Sequence, residues 1–317
     1  MSLGKNIFIN NGYRNCEIRM QMEEIMKKIV FTLALVAAMC VCSTAPISAA
    51  EEERFHFRFR TVNFPGDTFT QLLGINDFDR IAGYHGAAVN QGFVLTLPSN
   101  FTSENFPGSA QTQVIGINNR GYTDGFYIDA AGTNHGFLDI NGTFTTVDFP
   151  GTTLNQLLGL NNLEQAAGYF ADAAGIDHPY IFDNKGGVFS VLSIPAATGG
   201  AQATGINDQG AISGFYIDGA GKNHGFLISK GEFRTLDFPG STLTQAFGLN
   251  NRDEVAGQYV DASGLTHGFI YDDGEFTSVD DPNGIGTTTI NGINDRGQIV
   301  GFYVAAGGNT DGFVGSK

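Results

Sequence analysis

Gln245-Ala246-Phe247-Gly248-Leu249-Asn250, then Asn251-Arg252-Asp253, then Glu254-Val255-Ala256-Gly257-Gln258-Tyr259-Val260 reads as strand, turn, strand. Asp261-Ala262-Ser263-Gly264 turns the chain again, residues 267–271 make a third strand, Asp272-Asp273-Gly274 turns it once more, and residues 276–280 make a fourth. The turn residues are those that accept a left-handed backbone or hydrogen-bond their own main chain. Helical periodicity is absent throughout.

This unit recurs. Gly-[Ile/Leu]-Asn begins at Gly74, Gly116, Gly159, Gly205, Gly248 and Gly292, at intervals of 42, 43, 46, 43 and 44 residues. That period suits a propeller blade of four short strands. Four units end their fourth strand in Asp/Asn-Phe-Pro-Gly, at residues 63–66, 105–108, 148–151 and 237–240. Proline is tolerated only at strand edges and ends, so this strand is expected outermost. The last unit runs through 289–294, 298–304 and 311–314 and has no fourth strand, whereas residues 57–66 read as an outer strand with no unit before them. The expected fold is therefore all-β: a six-bladed β-propeller of four-stranded blades, its ring closed by the N-terminal strand pairing into the last blade.

The repeat resembles the bacterial extracellular repeats named for a His-Ala-Phe tripeptide. The stretches 205–215 and 292–302 match Gly-Ile-Asn-x-x-Gly-x-[Ile/Val]-x-Gly-[Tyr/Phe], and the tripeptide stands as His135-Gly136-Phe137, His224-Gly225-Phe226, His267-Gly268-Phe269 and His178-Pro179-Tyr180. Glycine, or in one unit proline, replaces the family's alanine. The resemblance covers the chain after residue 50, and it implies a secreted protein without a defined biochemical role.

Ahead of the repeats, Lys27 and Lys28 follow Met26, residues 29–41 form an apolar run, and Ser48-Ala49-Ala50 offers a cleavage site before Glu51. We read 26–50 as a signal peptide, 1–25 as upstream or mis-assigned sequence, and 51–317 as one propeller domain, secreted or periplasmic. Thirteen apolar residues are too few to span a bilayer. Cys16, Cys40 and Cys42 all precede residue 51, so the exported form would carry no disulfide and no thiolate site. Residues 51–317 hold twelve Lys/Arg and twenty-nine Asp/Glu, a net charge near −17. That balance repels nucleic acid and anionic membranes. A monomer without a cofactor is expected.

Gln71, Gln113, Gln156, Gln202 and Gln245 lie three residues before the inner-strand glycine, with Thr289 in the sixth place. Inner strands line a propeller's channel, so these amides would ring one mouth. There they could bind a polar ligand such as a sugar or satisfy backbone groups where blades meet. The histidines at 135, 178, 224 and 267 are expected to bond neighbouring backbone or turn groups, since one imidazole per blade stands too far from the next to share a metal ion. The Asp-Ala-x-Gly pieces at Asp129, Asp172 and Asp261 suit hairpin turns better than calcium, which needs six to eight oxygens. Asn76, Asn118, Asn161, Asn207, Asn250 and Asn294 should fold back onto their own turns. Gly83, Gly125, Gly168, Gly214, Gly257 and Gly301 should admit a large aromatic from an adjacent layer. Three departures from the repeat offer further ligand positions: Thr198-Gly199-Gly200, Asp281-Pro282-Asn283-Gly284 and the short hairpin 85–91.

No nucleophile motif, phosphate loop or metal spacing appears in the sequence. The reading is a secreted, non-catalytic module binding a glycan, another polar ligand or a protein. The alternatives are a polysaccharide-acting hydrolase or lyase, and a structural component of an envelope or matrix.

Overall fold

The computed structural model describes residues 57–317. The expected export signal over 26–50, the segment 1–25 and the cysteines lie outside the described residues. Six four-stranded antiparallel sheets follow one another around a ring, and the described residues contain no helix. Blade 1 is Thr70–Ile75, Arg80–His85, Gln91–Thr96 and Asn100–Ser103, running from the inner strand outward, and blades 2 to 5 follow in the same order over 111–147, 155–191, 201–236 and 243–279.

Blade 6 takes its inner three strands, Thr289–Ile293, Ile299–Val304 and Thr310–Ser316, from the end of the chain and its outer strand, Arg58–Thr61, from the start. Arg58 pairs with Ser316 and Thr61 with Phe313. Val62 N–H donates to Gly312 O at 2.8 Å, and Asn63 both donates to Asp311 Oδ1 and accepts from Gly312 N–H. Phe57 and Val62 are buried, and Phe59 meets the Phe313 ring edge-on at 5.4 Å. The expected closure is the one observed.

The second-strand glycines do accommodate aromatics, with one correction. The ring belongs to the neighbouring strand of the same blade rather than to another layer. Gly83, Gly257 and Gly301 stand directly opposite Phe93, Phe269 and Phe313, and a Cβ on any of them would come within 2.8 Å of that ring. Contact between blades is made instead by the phenylalanine of Asp/Asn-Phe-Pro-Gly. Phe64 stacks on His85 (3.5 Å between centroids), Phe106 on Tyr127 (3.7 Å), Phe149 on Phe170 (4.0 Å) and Phe238 on Tyr259 (3.6 Å). The proline beside it stops the outer strand, so the ring is free to turn into the next blade.

The histidines meet turn groups as expected, the aspartates of the hairpins, and in three blades they also bond an aspartate at the end of the outer strand, which the sequence reading did not include. Nδ1 of His135, His224 and His267 lies 2.7–2.8 Å from Asp148, Asp237 and Asp280 at the ends of the outer strands. Nε2 faces the hairpin residues Asp129, Asp218 and Asp261 at 3.2–3.6 Å. Burial opposes a charge on His135, but Asp148 and Asp129 outweigh it and raise its pKa. The hairpin aspartates also close their own turns, Asp129 Oδ1 accepting from Ala131 and Thr133 N–H. Among the described residues, no group of three or more His, Cys, Asp or Glu is arranged to hold a metal ion.

Candidate functional site at the channel mouth

The Gly-[Ile/Leu]-Asn motif draws neighbouring inner strands close together around the axis. A Cβ on Gly74 would lie 3.1 Å from Gly116 Cα, one on Gly116 3.1 Å from Gly159 Cα, and one on Gly159 3.0 Å from Gly205 Cα. Adjacent inner strands meet backbone to backbone at this level, so a side chain has no room. A bulge just before the glycine, between Leu72 and Gly74 in blade 1 and repeated around the ring, reorients each strand there.

The channel holds a chamber of about 450 Å³ whose lining runs from the glutamines past the glycines to Ile75, Ile117 and Leu160. Its collar is Leu73, Ile115, Leu158, Thr204, Phe247 and Asn291, and its rim holds all five glutamines with Tyr84, Phe126 and Phe215. The structure thus brings Gln71, Gln113, Gln156, Gln202 and Gln245 together as one ring, while Thr289 bonds to Gln258 at 2.8 Å. The amides also bridge blades. Nε2 of Gln113, Gln156, Gln202 and Gln245 donates to Asn90, Asn134, Asp177 and Asn223 of the preceding blade at 2.7–3.4 Å. Tyr84 and Tyr169 hydroxyls donate to Oε1 of Gln71 and Gln156. An acceptor-only carboxylate such as Asp177 directs the Gln202 oxygen elsewhere, so the rim holds fixed amide geometry above a collar that is apolar at Leu73, Ile115, Leu158 and Phe247 and polar at Thr204 and Asn291.

The other end is a shallow pit of about 70 Å³ ringed by the Asn-Asn/Asp pairs. Each asparagine accepts two N–H bonds from its own turn, as Asn118 Oδ1 does from Arg120 and Tyr122 at 3.0 Å. This is the expected fold-back. Each also donates Nδ2 to the equivalent carbonyl of the next blade, from Asn76 to Asn118, then 161, 207, 250, 294 and back to Asn76, at 2.9–3.1 Å. A second circle runs beside it, from Asp77 N–H to Asn119 Oδ1 through to Asp295 N–H on Asp77 Oδ1. These two closed circles escaped the sequence reading, and the invariable Asn/Asp after each asparagine was the signal available.

Blade 2 departs from its neighbours in its interior. Asp124 replaces the small or apolar residue found at Ala82, Ala167 and Ala256, and is fully buried behind Gly116, whose N–H donates to Oδ1 at 2.8 Å. Asp124 Oδ2 has no partner. Burial pushes this carboxyl up to about 7, against N–H bonds from Gly116 and Gly159. Its folded pKa exceeds the ordinary 3.8, so the native state keeps a proton that the unfolded chain releases. The group's effect on stability is smallest below pH 3.8, and it becomes increasingly destabilising as pH rises toward 7. Asp124→Asn is therefore expected to stabilise by about 2–4 kcal/mol at pH 8 and by little at pH 4. Thermal melts at both values check this, and a gain independent of pH would refute it. Glu104 sits in an outer-strand position that is Val147, Leu236 or Val279 elsewhere; burial pushes it up to about 7, and the Thr123 hydroxyl donates to it.

Fold and chamber define a closed six-bladed propeller. The sequence matches no described protein family, and it matches no curated protein. Solved structures are similar. A putative TolB from Agrobacterium tumefaciens superposes with a TM-score of 0.60 at 12% identity, covering 82% of this chain and 98% of that one. Selenomethionine-substituted virginiamycin B lyase from Staphylococcus aureus gives 0.52 at 11%, covering 82% and 99%. The SapL1 lectin in complex with alpha methyl fucoside gives 0.50 at 10%, covering 74% and 88%. At these identities the likeness is one of fold.

Proposed function

We propose that the protein is a secreted, non-catalytic binding module that takes a glycan or another polar extracellular ligand at the glutamine-rimmed mouth. One observation carries this reading: five glutamine amides and four aromatic rings, those of Tyr84, Phe126, Phe215 and Phe247, line one chamber on the axis. Amides match hydroxyl groups, and ring faces with aliphatic side chains match the C–H face of a sugar. The signal-like segment over 26–50 and the resemblance to His-Ala-Phe repeats support export. The propeller fold is shared with a lectin that binds a fucoside, with a lyase and with a putative TolB, so the fold accommodates more than one role. A hydrolase or lyase acting in this chamber would need paired acid and base groups, and the residues lining it include no carboxylate.

Binding to a broad glycan and polysaccharide array, with an activity readout on the same samples, identifies the ligand. Gln156→Ala with Gln202→Ala is then expected to weaken that ligand at least tenfold. The melting temperature should fall by only a few degrees, since each variant removes partly exposed hydrogen bonds worth about 1 kcal/mol. Undiminished binding in the double variant would sink the chamber site, and product release would favour the enzyme.

A further inference from the structure

The repeat fails most completely where blade 3 meets blade 4. The segment Ser193-Ile194-Pro195-Ala196 stands where blade 2 has Asp148-Phe149-Pro150-Gly151, and the Thr198-Gly199-Gly200 insertion follows it. Pro179 replaces the glycine that elsewhere lies against the next blade, as Gly136 does beneath Val147 and Leu157. The substitutions leave a cleft of about 320 Å³ lined by Asp177, His178, Pro179, Leu192, Ser193 and Ile194.

His178 is the residue this changes. In blades 2, 4 and 5 the histidine's Nδ1 is occupied by the outer-strand aspartate at 2.7–2.8 Å. Ser193 holds that position in blade 3, its side chain is shorter, and it makes no hydrogen bond to the ring. Nε2 keeps the usual partner, Asp172 Oδ2 at 2.9 Å. The His178 side chain is 38% exposed, against 21%, 13% and 14% for His135, His224 and His267. The His178 bond holds the Asp172 carboxyl below its ordinary range, so Asp172 is an acceptor and Nε2 carries the proton. With Nε2 donating to Asp172, Nδ1 is the ring nitrogen left without a partner in a side chain that lines the cleft.

We infer that this cleft is a second ligand site, for a neutral, hydroxyl-rich sugar ring whose O–H groups donate to His178 Nδ1 and to the Asp177 carboxylate. Pro179, Leu192 and Ile194 supply the apolar floor for the ring's C–H face. Asp172 and Asp177 repel an anionic sugar.

The test uses the protein with 15N-labelled histidine and, as probes, methyl α-D-mannopyranoside, methyl β-D-galactopyranoside, methyl α-D-glucopyranoside and D-glucuronate. At least one neutral glycoside is expected to shift the His178 Nδ1 resonance saturably, with glucuronate at least tenfold weaker. Ser193→Asp restores the residue that three other blades carry, so it keeps the fold while occupying Nδ1, and it should weaken the glycoside at least tenfold. His178→Gln, which removes the reporting ring and is followed by calorimetric titration beside the parent, should do the same. The inference is overturned if no neutral probe moves His178, if Ser193→Asp and His178→Gln bind as the parent does, or if glucuronate binds equally well. Asp177 is also held by Gln202 of the channel rim, so the same titration is run on Gln71→Ala with Gln113→Ala, which lie in other blades: the His178 shift should survive there, and its loss would assign the glycoside to the chamber.

Discussion

Deleting residues 57–64 is expected to lower the melting temperature by at least 10–20 °C or to abolish cooperative unfolding. The segment contributes Phe57, Val62 and Phe64 to the packing of blades 6 and 1 and covers one edge of Thr310–Ser316. Two buried apolar side chains, Phe57 and Val62, at about 2 kcal/mol each and a partly buried Phe64 amount to about 5 kcal/mol, comparable with the whole stability of many domains. At about 2–4 °C per kcal/mol the estimated fall follows. The effect extends beyond one blade, because Phe64 stacks on His85 across the seam. A truncated protein that melts within about 2 °C of the parent would refute closure by this strand. Adding a peptide of residues 57–66 should restore much of the loss, which a generally damaged protein would not show.

Asn118→Ala is expected to destabilise by about 3 kcal/mol. It removes the acceptor for two turn N–H groups and the donor that reaches Asn161 O, at a site that is 3% exposed. Buried groups left without partners cost about 1–3 kcal/mol each, partly relieved where water enters the adjoining pit. Asn118→Asp separates the two roles, since it keeps the turn acceptor and loses the bond between blades. Denaturant unfolding of both variants decides the matter. If Ala costs no more than about 1 kcal/mol, the circle of side chains does not hold the ring together, and if Asp matches the parent, the bond across the seam contributes nothing. Neither change should alter binding at the glutamine mouth, at the opposite end of the inner strands.

Much of this architecture was legible because each blade is written locally. Turn aspartates, asparagines and glycines delimit four strands per unit, and a proline marks the outermost. The unmatched outer strand at the start and the missing one at the end specify closure, since an unpaired sheet edge is a liability. The five glutamines could be placed on one mouth because they keep a constant offset from the inner-strand glycine. The partners of those residues could not be read. Asn118 reaches a carbonyl 43 residues away, Gln202 a carboxylate 25 residues back, and Gly74 the backbone of the next blade, contacts that exist only once the ring has closed.

The same distinction explains the histidines and blade 3. Sequence alone identified His178 as one of four equivalent residues and the 198–200 insertion as a departure. Only the folded arrangement shows that Ser193 stands where three other blades carry the aspartate bound to Nδ1, and that the interface there is open. Strand period, turn chemistry and edge pairing act over a few residues and are therefore written in the amino-acid order. Distances between blades depend on how six such units pack around an axis, so the tertiary structure decided which polar groups meet and where cavities remain.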